Sequence, residues 1–263
     1  MIKQKKIGVL SSSRADYGIY TNLLEYWKSQ EWIEVEVIIF GSHLLAEMKS
    51  TLDIIERDSF GLVRIVGDFV KTNSPVDVVK TYAMVVANFS DFWKNNQYDC
   101  LIALGDRFEM SAAIQSTIPF HIPIAHIHGG EATLGAIDNI YRHQISLASQ
   151  LHFTSTETYR NRVAELIGTD KNILNVGSLS LSGLNFDSLK PWSYIASLYK
   201  IPKESFVLIT VHPETDLFTD FQDELDELYI VLKFLLKKYF LVITGTNSDQ
   251  NYKPIDNFFK RFC

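Results

Sequence analysis

The sequence predicts an α/β protein built on doubly wound parallel sheets, with helices on both faces of each sheet. Short apolar segments alternate along the chain with longer segments whose apolar residues recur at helical spacing. The apolar segments are nearly continuous, as expected of parallel strands that are buried on both faces. Polar residues and glycine follow several of these segments, at the positions where ligands bind in open α/β sheets.

The predicted elements follow one another without an internal repeat. Strands are predicted at residues 6–12, 35–40, 62–66, 100–104, 151–156, 173–177, 206–210 and 240–244, with a central strand that begins at residue 124. Helices are predicted at residues 19–28, 44–58, 76–95, 137–149, 156–167, 193–199 and 221–238, with a short helix before residue 119 and a partial helix at the end of the chain.

The regular alternation loosens in one stretch, which divides the chain into two predicted domains. Residues 1–178 are expected to form a Rossmann-like N-terminal domain, residues 179–204 a connection, and residues 205–263 a partial C-terminal domain. Two strands and an unfinished third element are fewer than a doubly wound domain of usual size contains. The second domain is therefore expected to be incomplete in this chain.

Composition excludes several classes of protein. The net charge of -6 argues against a general surface for nucleic acid or anionic membranes. Cys100 and Cys263 are too few and too far apart for a disulfide framework or a metal cluster. No stretch reaches the roughly 18 apolar residues of a membrane span, and the N-terminus shows no signal-peptide pattern. A soluble, cytoplasmic protein without a metal is expected.

The stretch from Ile124 to His143, I-A-H-I-H-G-G-E-A-T-L-G-A-I-D-N-I-Y-R-H, holds the strongest concentration of reactive side chains. It predicts a buried strand, a polar loop and the start of a helix. Acidic and basic groups beside a helix N-terminus suit proton transfer next to a phosphate. The alternative is a surface loop whose histidines serve as capping or packing groups. The titratable residues of the strand and loop are His126, His128, Glu131 and Asp138.

Polar groups also follow the first predicted strand. Ser12, Ser13 and Arg14 follow the first strand and could bind an anion, or Ser13 or Asp16 could instead cap the next helix. The first turn reads S-S-S-R-A-D-Y-G and not G-x-G-x-x-G, which argues against a dinucleotide-dependent oxidoreductase.

The G-D-R-F-E segment after the fourth predicted strand offers similar alternatives. Asp106 could act as a base or cap a helix, and Arg107 could pair with a phosphate or with Asp106 itself. In the second predicted domain, His212, Glu214 and Asn247 also follow strands.

Seven motifs together carry a resemblance to a known family. They are S-R-A-D-Y-G, G-D-R-F-E, H-I-H-G-G-E-A-T-L-G-A-I-D-N, R-H, L-H-F-T-S-T, V-H-P-E-T and T-N-S-D. In this order they resemble the hydrolysing UDP-N-acetylglucosamine 2-epimerases of sialic-acid and legionaminic-acid synthesis. The resemblance implies a GT-B-like fold of two Rossmann-like domains, the second binding the nucleotide, with the active site in the cleft between them. It also implies a reaction without metal or NAD.

The implied reaction eliminates UDP across C1 and C2 of the sugar, and water then adds to the resulting 2-acetamidoglucal. The products are free N-acetylmannosamine and UDP. Carried over by motif, the acid–base candidates are Asp106, His126, His128, Glu131 and Asp138. The candidates for contacts with the sugar nucleotide are Arg14, Arg107, Arg142, His143, His212, Glu214 and Asn247.

His128 departs from part of the family, because relatives that act on UDP-N-acetylglucosamine can carry glutamate there. UDP-2,4-diacetamido-2,4,6-trideoxyglucose is therefore an alternative substrate. A GT-B glycosyltransferase or a non-catalytic nucleotide-sugar binding protein would share the architecture.

Family members extend for roughly another hundred residues, about the size of the missing half of a doubly wound domain. The 263-residue chain alone is therefore expected to be inactive or nearly so, and a full-length protein is expected to form a homo-oligomer.

Overall fold

A computed structural model describes residues 4–45, 49–70, 72, 74–202, 205–212, 222–245 and 252–263. The chain divides into two compact units, Met1–Gly183 and Leu184–Cys263. Among the described helices, none is both long enough and apolar enough to cross a membrane.

The first unit is organised around a seven-stranded sheet with strand order β3-β2-β1-β4-β5-β6-β7. All neighbouring strands pair in parallel, which confirms the predicted parallel sheet. The direction of strand addition reverses between β1 and β4, and ligands of such sheets bind beyond the carboxyl ends near the reversal. The strands are β1 (Lys5–Ser11), β2 (Ile33–Ile39), β3 (Leu62–Ile65), β4 (Cys100–Leu104), β5 (Ile124–Ile127), β6 (Leu151–Thr154) and β7 (Ile173–Asn175).

Six α-helices connect these strands. They are α1 (Arg14–Lys28), α2 (Lys49–Asp58), α3 (Pro75–Asn95), α4 (Phe108–Thr117), α5 (Asp138–Ala148) and α6 (Glu157–Ile167). Short 3₁₀ turns occur at Gly41–Leu44, Ile118–Phe120 and Leu179–Leu181.

Two helix starts differ from the predicted ones. Helix α1 begins at Arg14 and not at Ile19, because Ser13 and Asp16 form a capping box that starts the helix earlier. Residue 44, the predicted start of the second helix, lies in the 3₁₀ turn Gly41–Leu44, and the described part of α2 is Lys49–Asp58. For α1, local hydrogen bonds at the turn therefore decided where the helix starts.

The core lies on both faces of the sheet, because successive residues of a strand point to opposite sides. On β1, Leu10 joins one buried cluster and Val9 joins the other. The first cluster includes Phe89 and Trp93 of α3, whose rings stack with centroids 5.0 Å apart. Phe89 also meets Phe40 edge-to-face at 4.9 Å. Helix α3 therefore packs through aromatic side chains against one face of the sheet.

The second unit contains a smaller βαβ arrangement. Strands β8 (Phe206–Ile209) and β9 (Phe240–Ile243) pair in parallel, as predicted. Its buried core consists of Leu225, Leu232, Ile255 and Phe259. The helices of this unit are α7 (Trp192–Leu198), α8 (Gln222–Leu235) and α9 (Tyr252–Phe262).

We predict that Phe89→Ala lowers the free energy of unfolding of the first unit by about 3–5 kcal/mol, because it removes a fully buried ring from a packed cluster. Val79→Ala is the matched control, since Val79 lies on the same helix and is 68% exposed. The control should change stability by less than about 0.5 kcal/mol. Urea denaturation followed by circular dichroism measures both, and equal losses would contradict the assignment of Phe89 to the core.

Candidate active site

The loops at the carboxyl ends of β4, β5 and β6 bring several of the predicted site residues together. Asp106 follows β4, His128 and Glu131 follow β5, and Ser155 follows β6. Arg142 projects from the second turn of α5 into the same region. Because these strands are neighbours in the sheet, residues far apart in sequence meet at one edge.

Arg142 connects these loops. Its side chain is only 6% exposed. One terminal nitrogen donates to Glu131 Oε2 at 3.1 Å and to the carbonyl oxygen of His128 at 3.0 Å. The other terminal nitrogen forms an ion pair with Asp106 Oδ2. The structure thus places Arg142, predicted as a sugar-nucleotide contact, between two of the predicted acid–base carboxylates.

Both carboxylates remain accessible to a ligand. The side chains of Asp106 and Glu131 are 26% and 28% exposed. The second oxygen of Glu131 accepts a hydrogen bond of 2.6 Å from Ser155 Oγ. The two carboxylates are therefore held in fixed orientations by a cation and a hydroxyl while part of each faces solvent.

His126 lies beneath this site and not within it. Its ring is fully buried, with Nε2 2.8 Å from the Gly105 carbonyl oxygen and Nδ1 3.0 Å from Ser146 Oγ. A carbonyl oxygen only accepts, so Nε2 carries the proton and Nδ1 accepts from Ser146. Burial lowers the pKa of His126 to about 3. The ring is therefore a neutral link between Gly105, next to Asp106, and helix α5.

The glycine pair after β5 shapes the loop. Gly130 has φ +77°, and a Cβ there would lie 2.4 Å from the carbonyl oxygen of Tyr159. Its own carbonyl accepts a hydrogen bond of 2.7 Å from Arg162. Only glycine fits this position without displacing α6. His128, two residues earlier, also has a left-handed backbone with φ +64°.

Asp138 and His143 lie on α5 to either side of Arg142. Asp138 is the first residue of the helix, where a carboxylate interacts favourably with the helix dipole. His143 is partly buried, and burial together with the charges of Arg162 and Arg142 lowers its pKa.

The end of β1 is occupied by a side chain of the protein. Asp16 accepts hydrogen bonds from the backbone amides of Ser12 and Ser13 at 2.8 and 3.0 Å, and from Ser12 Oγ at 2.6 Å. Of the two alternatives for this turn, helix capping is the one the structure shows. Burial raises the pKa of Asp16, and the charge of Arg107 opposes this shift. Arg14 is exposed and forms no ion pair with the described residues.

The remaining predicted residues are Arg107 in the first unit and His212, Glu214 and Asn247 in the sequence of the second. Arg107 donates to the fully buried Glu109 at 3.2 Å, so it does have a structural ion pair, though not with Asp106. His212 is exposed at the end of β8 in the second unit. Glu214 and Asn247 fall outside the described residues. Within the described part of the chain, no cluster of three or more His, Cys, Asp or Glu side chains could hold a metal ion.

Sequence reasoning missed three supporting groups: Ser146, Ser155 as the partner of Glu131, and the backbone amide of Leu179, which donates to His128. The only local signal for any of them was the L-H-F-T-S-T motif, which contains Ser155. These contacts depend on which strands are neighbours in the sheet, and that is not visible in the sequence.

Comparisons with known proteins support one family. A family model described as UDP-N-acetylglucosamine 2-epimerase matches residues 25–262. The polysialic acid biosynthesis protein P7 of Escherichia coli is 32% identical over 259 residues, which cover 98% of this chain and 66% of that protein. A GDP/UDP-N,N'-diacetylbacillosamine 2-epimerase (hydrolyzing) of Campylobacter jejuni is 31% identical over 265 residues, covering 100% of this chain and 68% of the relative.

The chain thus spans about two thirds of the length of these relatives. The fold has solved counterparts. The UDP-GlcNAc 2-epimerase of Neisseria meningitidis, determined with UDP-GlcNAc bound, superposes with a TM-score of 0.74 at 18% identity. The superposition covers 97% of this chain and 70% of that one. This likeness confirms the GT-B-like architecture.

We predict that His126 makes the protein less stable in acid. The unfolded chain takes up a proton on this ring below its ordinary pKa of 6.5, whereas the folded protein does so only near pH 3. The free energy of unfolding should therefore decrease as the pH is lowered below about 6.5. This residue should contribute up to about 1.4 kcal/mol per pH unit. His126→Gln should show a smaller slope between pH 6.5 and 4.5.

Urea denaturation at several pH values measures these slopes. His121→Gln, which replaces an exposed histidine of the same unit, is the control and should keep the wild-type slope. Buried carboxyls with raised pKa, such as Asp16 and Glu109, titrate in all three proteins and cancel from the comparison. Equal slopes for wild type and His126→Gln would contradict the neutral, buried state of His126.

Proposed function

Because the chain belongs to the UDP-N-acetylglucosamine 2-epimerase family, we propose that the protein is a hydrolysing 2-epimerase of a UDP-linked 2-acetamido sugar. It acts in the cytoplasm, without a bound metal or nicotinamide. The products are UDP and the free sugar with inverted configuration at C2.

The proposed chemistry proceeds in two stages. A base removes the proton at C2 while the C1–O bond breaks, and the bonding electrons leave with UDP, so that a C1–C2 double bond forms. Water then adds its hydroxyl to C1, and an acid returns a proton to C2 from the opposite face. Such a reaction needs acid–base groups on the sugar and donors that stabilise charge on the departing diphosphate.

The observation that carries this proposal is the pair of carboxylates on Arg142. Asp106 and Glu131 come from neighbouring loops, share one buried guanidinium and are each about a quarter exposed. Their arrangement presents two oriented carboxylates to one ligand. We assign both to proton transfer as a coupled pair and do not divide the roles of acid and base between them. Asp138, at the start of α5, is the third proposed carboxylate.

Contacts with the nucleotide are proposed for groups away from this pair. Arg14 is exposed beside the carboxyl end of β1, and its guanidinium suits a phosphate oxygen. The amides of Ser12 and Ser13 already bind Asp16, so side chains must supply the donors at this strand end. The family resemblance supports further contacts from Arg107, His143, His212, Glu214 and Asn247.

Two substrates follow from the names of the matches. The description of the family model supports UDP-N-acetylglucosamine, which would give N-acetylmannosamine. The Campylobacter jejuni relative supports UDP-N,N'-diacetylbacillosamine, the 2,4-diacetamido-2,4,6-trideoxy sugar nucleotide. The two sugars differ at C4 and C6, away from the bond that breaks, so one mechanism serves both.

The decisive experiment is incubation with each UDP sugar in D₂O, followed by ¹H and ³¹P NMR, of a full-length relative that carries the same site residues and, in parallel, of the 263-residue chain. We expect the relative to give UDP and a free sugar inverted at C2 that carries deuterium at C2, because the proton removed exchanges with solvent. The 263-residue chain alone should give little or no product. Release of a sugar that keeps its C2 proton and configuration would indicate simple hydrolysis. Binding of UDP without turnover would indicate a non-catalytic binding protein, and transfer that requires an acceptor would indicate a glycosyltransferase.

We predict that Asp106→Asn, Glu131→Gln and Asp138→Asn, made at the matching positions of a full-length relative, each lower kcat for UDP release by about 10²–10⁴, the usual contribution of general acid–base groups. The amides preserve size, so circular dichroism should stay unchanged. Asp170→Asn, at an exposed carboxylate after α6, is the matched control and should retain wild-type kcat. Near-normal turnover in Asp106→Asn and Glu131→Gln would remove this pair from the mechanism.

A further inference from the structure

His128 is held by hydrogen bonds at its backbone amide, its carbonyl and one ring nitrogen. Its side chain is 11% exposed, and its backbone is left-handed at φ +64°, a conformation uncommon for a residue with a Cβ. Its backbone amide donates to the carbonyl of Phe153 at 2.9 Å, and its carbonyl accepts from Arg142 at 3.0 Å. This strained backbone, hydrogen-bonded at both its amide and its carbonyl, indicates that the surrounding structure fixes the position from which the ring extends.

The hydrogen bonds define which ring nitrogen carries the proton. The backbone amide of Leu179 donates to Nε2 at 3.0 Å, so Nε2 presents a lone pair. In a neutral imidazole the proton is then on Nδ1. Nδ1 faces Glu131 Oε1 at 3.6 Å, too long for a hydrogen bond but close enough for the N–H dipole to attract the carboxylate.

The charges around His128 act in opposite directions. Burial lowers its pKa, Glu131 and Asp106 raise it, and Arg142 lowers it again, with a net lowering. His128 is therefore uncharged at neutral pH. To act as a base it would have to break its bond to Leu179, and to act as an acid it would have to give up the proton that faces Glu131.

We propose that His128 is a positioning residue: the Leu179 amide holds its ring in the Nδ1–H form, and the ring orients Glu131 beside Arg142. The role of Glu131 in catalysis rests on the proposed function, whereas the state of the ring does not. His128 then acts through Glu131 and transfers no proton itself.

The first test is ¹⁵N NMR of the histidine rings in the purified protein at pH 7, with the His128 signals assigned by their loss in His128→Gln. We expect Nδ1 protonated and Nε2 unprotonated. A ring in the Nε2–H form, or charged, would overturn the inference.

Leu179→Pro removes the backbone N–H that donates to His128 Nε2. Leu179 is the first residue of a 3₁₀ turn, and Ser178 before it is extended at φ −78° and ψ 126°, so the backbone accommodates proline. Leu179→Ala is the matched control, because it shortens the side chain and keeps the amide. The Nδ1–H preference should weaken in the proline variant and persist in the alanine variant; persistence in both would overturn the inference.

The second test uses UDP release by a full-length relative, with the substitutions made at the matching positions. Relative to Leu179→Ala, Leu179→Pro should lower kcat roughly 10- to 100-fold with little change in KM, as expected when a reacting group is misplaced. Should the proline variant fail to fold, His128→Asn and His128→Gln replace it, because Asn keeps a donor near Nδ1 and Gln an acceptor near Nε2. Both should lose activity to a similar extent and keep both limbs of the pH–rate profile.

Loss of one limb in His128→Asn would overturn the inference, since it would make His128 itself the acid or base. Wild-type kcat in both His128 variants would overturn it as well. Absence of UDP release from the unaltered full-length relative would instead contradict the proposed function, and the NMR measurement would still decide the state of His128.

Discussion

The candidate site depends on one buried guanidinium shared by two carboxylates. Arg142 reaches from α5 to Asp106 after β4 and to Glu131 after β5, and it also holds the backbone of His128. A buried cation without partners would be strongly destabilising, as would one partner left alone. The loops therefore cannot move independently without breaking this arrangement. The carboxylates are thus oriented before any ligand binds, which favours the proposed proton transfers.

Two histidines of the same strand region support this arrangement in opposite ways. His126 carries its proton on Nε2 and holds the backbone of Gly105, next to Asp106. His128 presents its Nε2 lone pair to Leu179 and turns Nδ1 toward Glu131. Each ring is set by a backbone group that can only accept or only donate. Under our proposals, His128 orients Glu131, and the carboxylates transfer the protons.

The carboxyl end of β1 differs from the dinucleotide-binding turn of a Rossmann oxidoreductase. In a Rossmann oxidoreductase the backbone amides after the first strand face a pyrophosphate. Here Asp16 accepts from the corresponding amides of Ser12 and Ser13 and starts α1 with a capping box. These two amides are therefore occupied by a side chain of the protein, and Arg14 is an exposed cation beside them.

The sequence by itself determined the parallel sheet, the order of its elements, the strand ends at which Asp106 and Glu131 lie and the helix that carries Arg142. Apolar runs and helical spacing are local properties of the sequence. A helix between consecutive strands is the usual connection of a parallel sheet, so the parallel direction follows from the same patterns. The partners of each side chain required the tertiary structure. Arg142 was predicted to contact a ligand, and the structure adds that it binds two carboxylates. His126 was predicted as an acid–base group, and the structure adds that its ring is buried. These contacts join residues 11 to 36 positions apart: Arg142 to Glu131 and Asp106, and His126 to Gly105. Only the packing of neighbouring strands brings such groups within hydrogen-bonding distance, so no local pattern could reveal them.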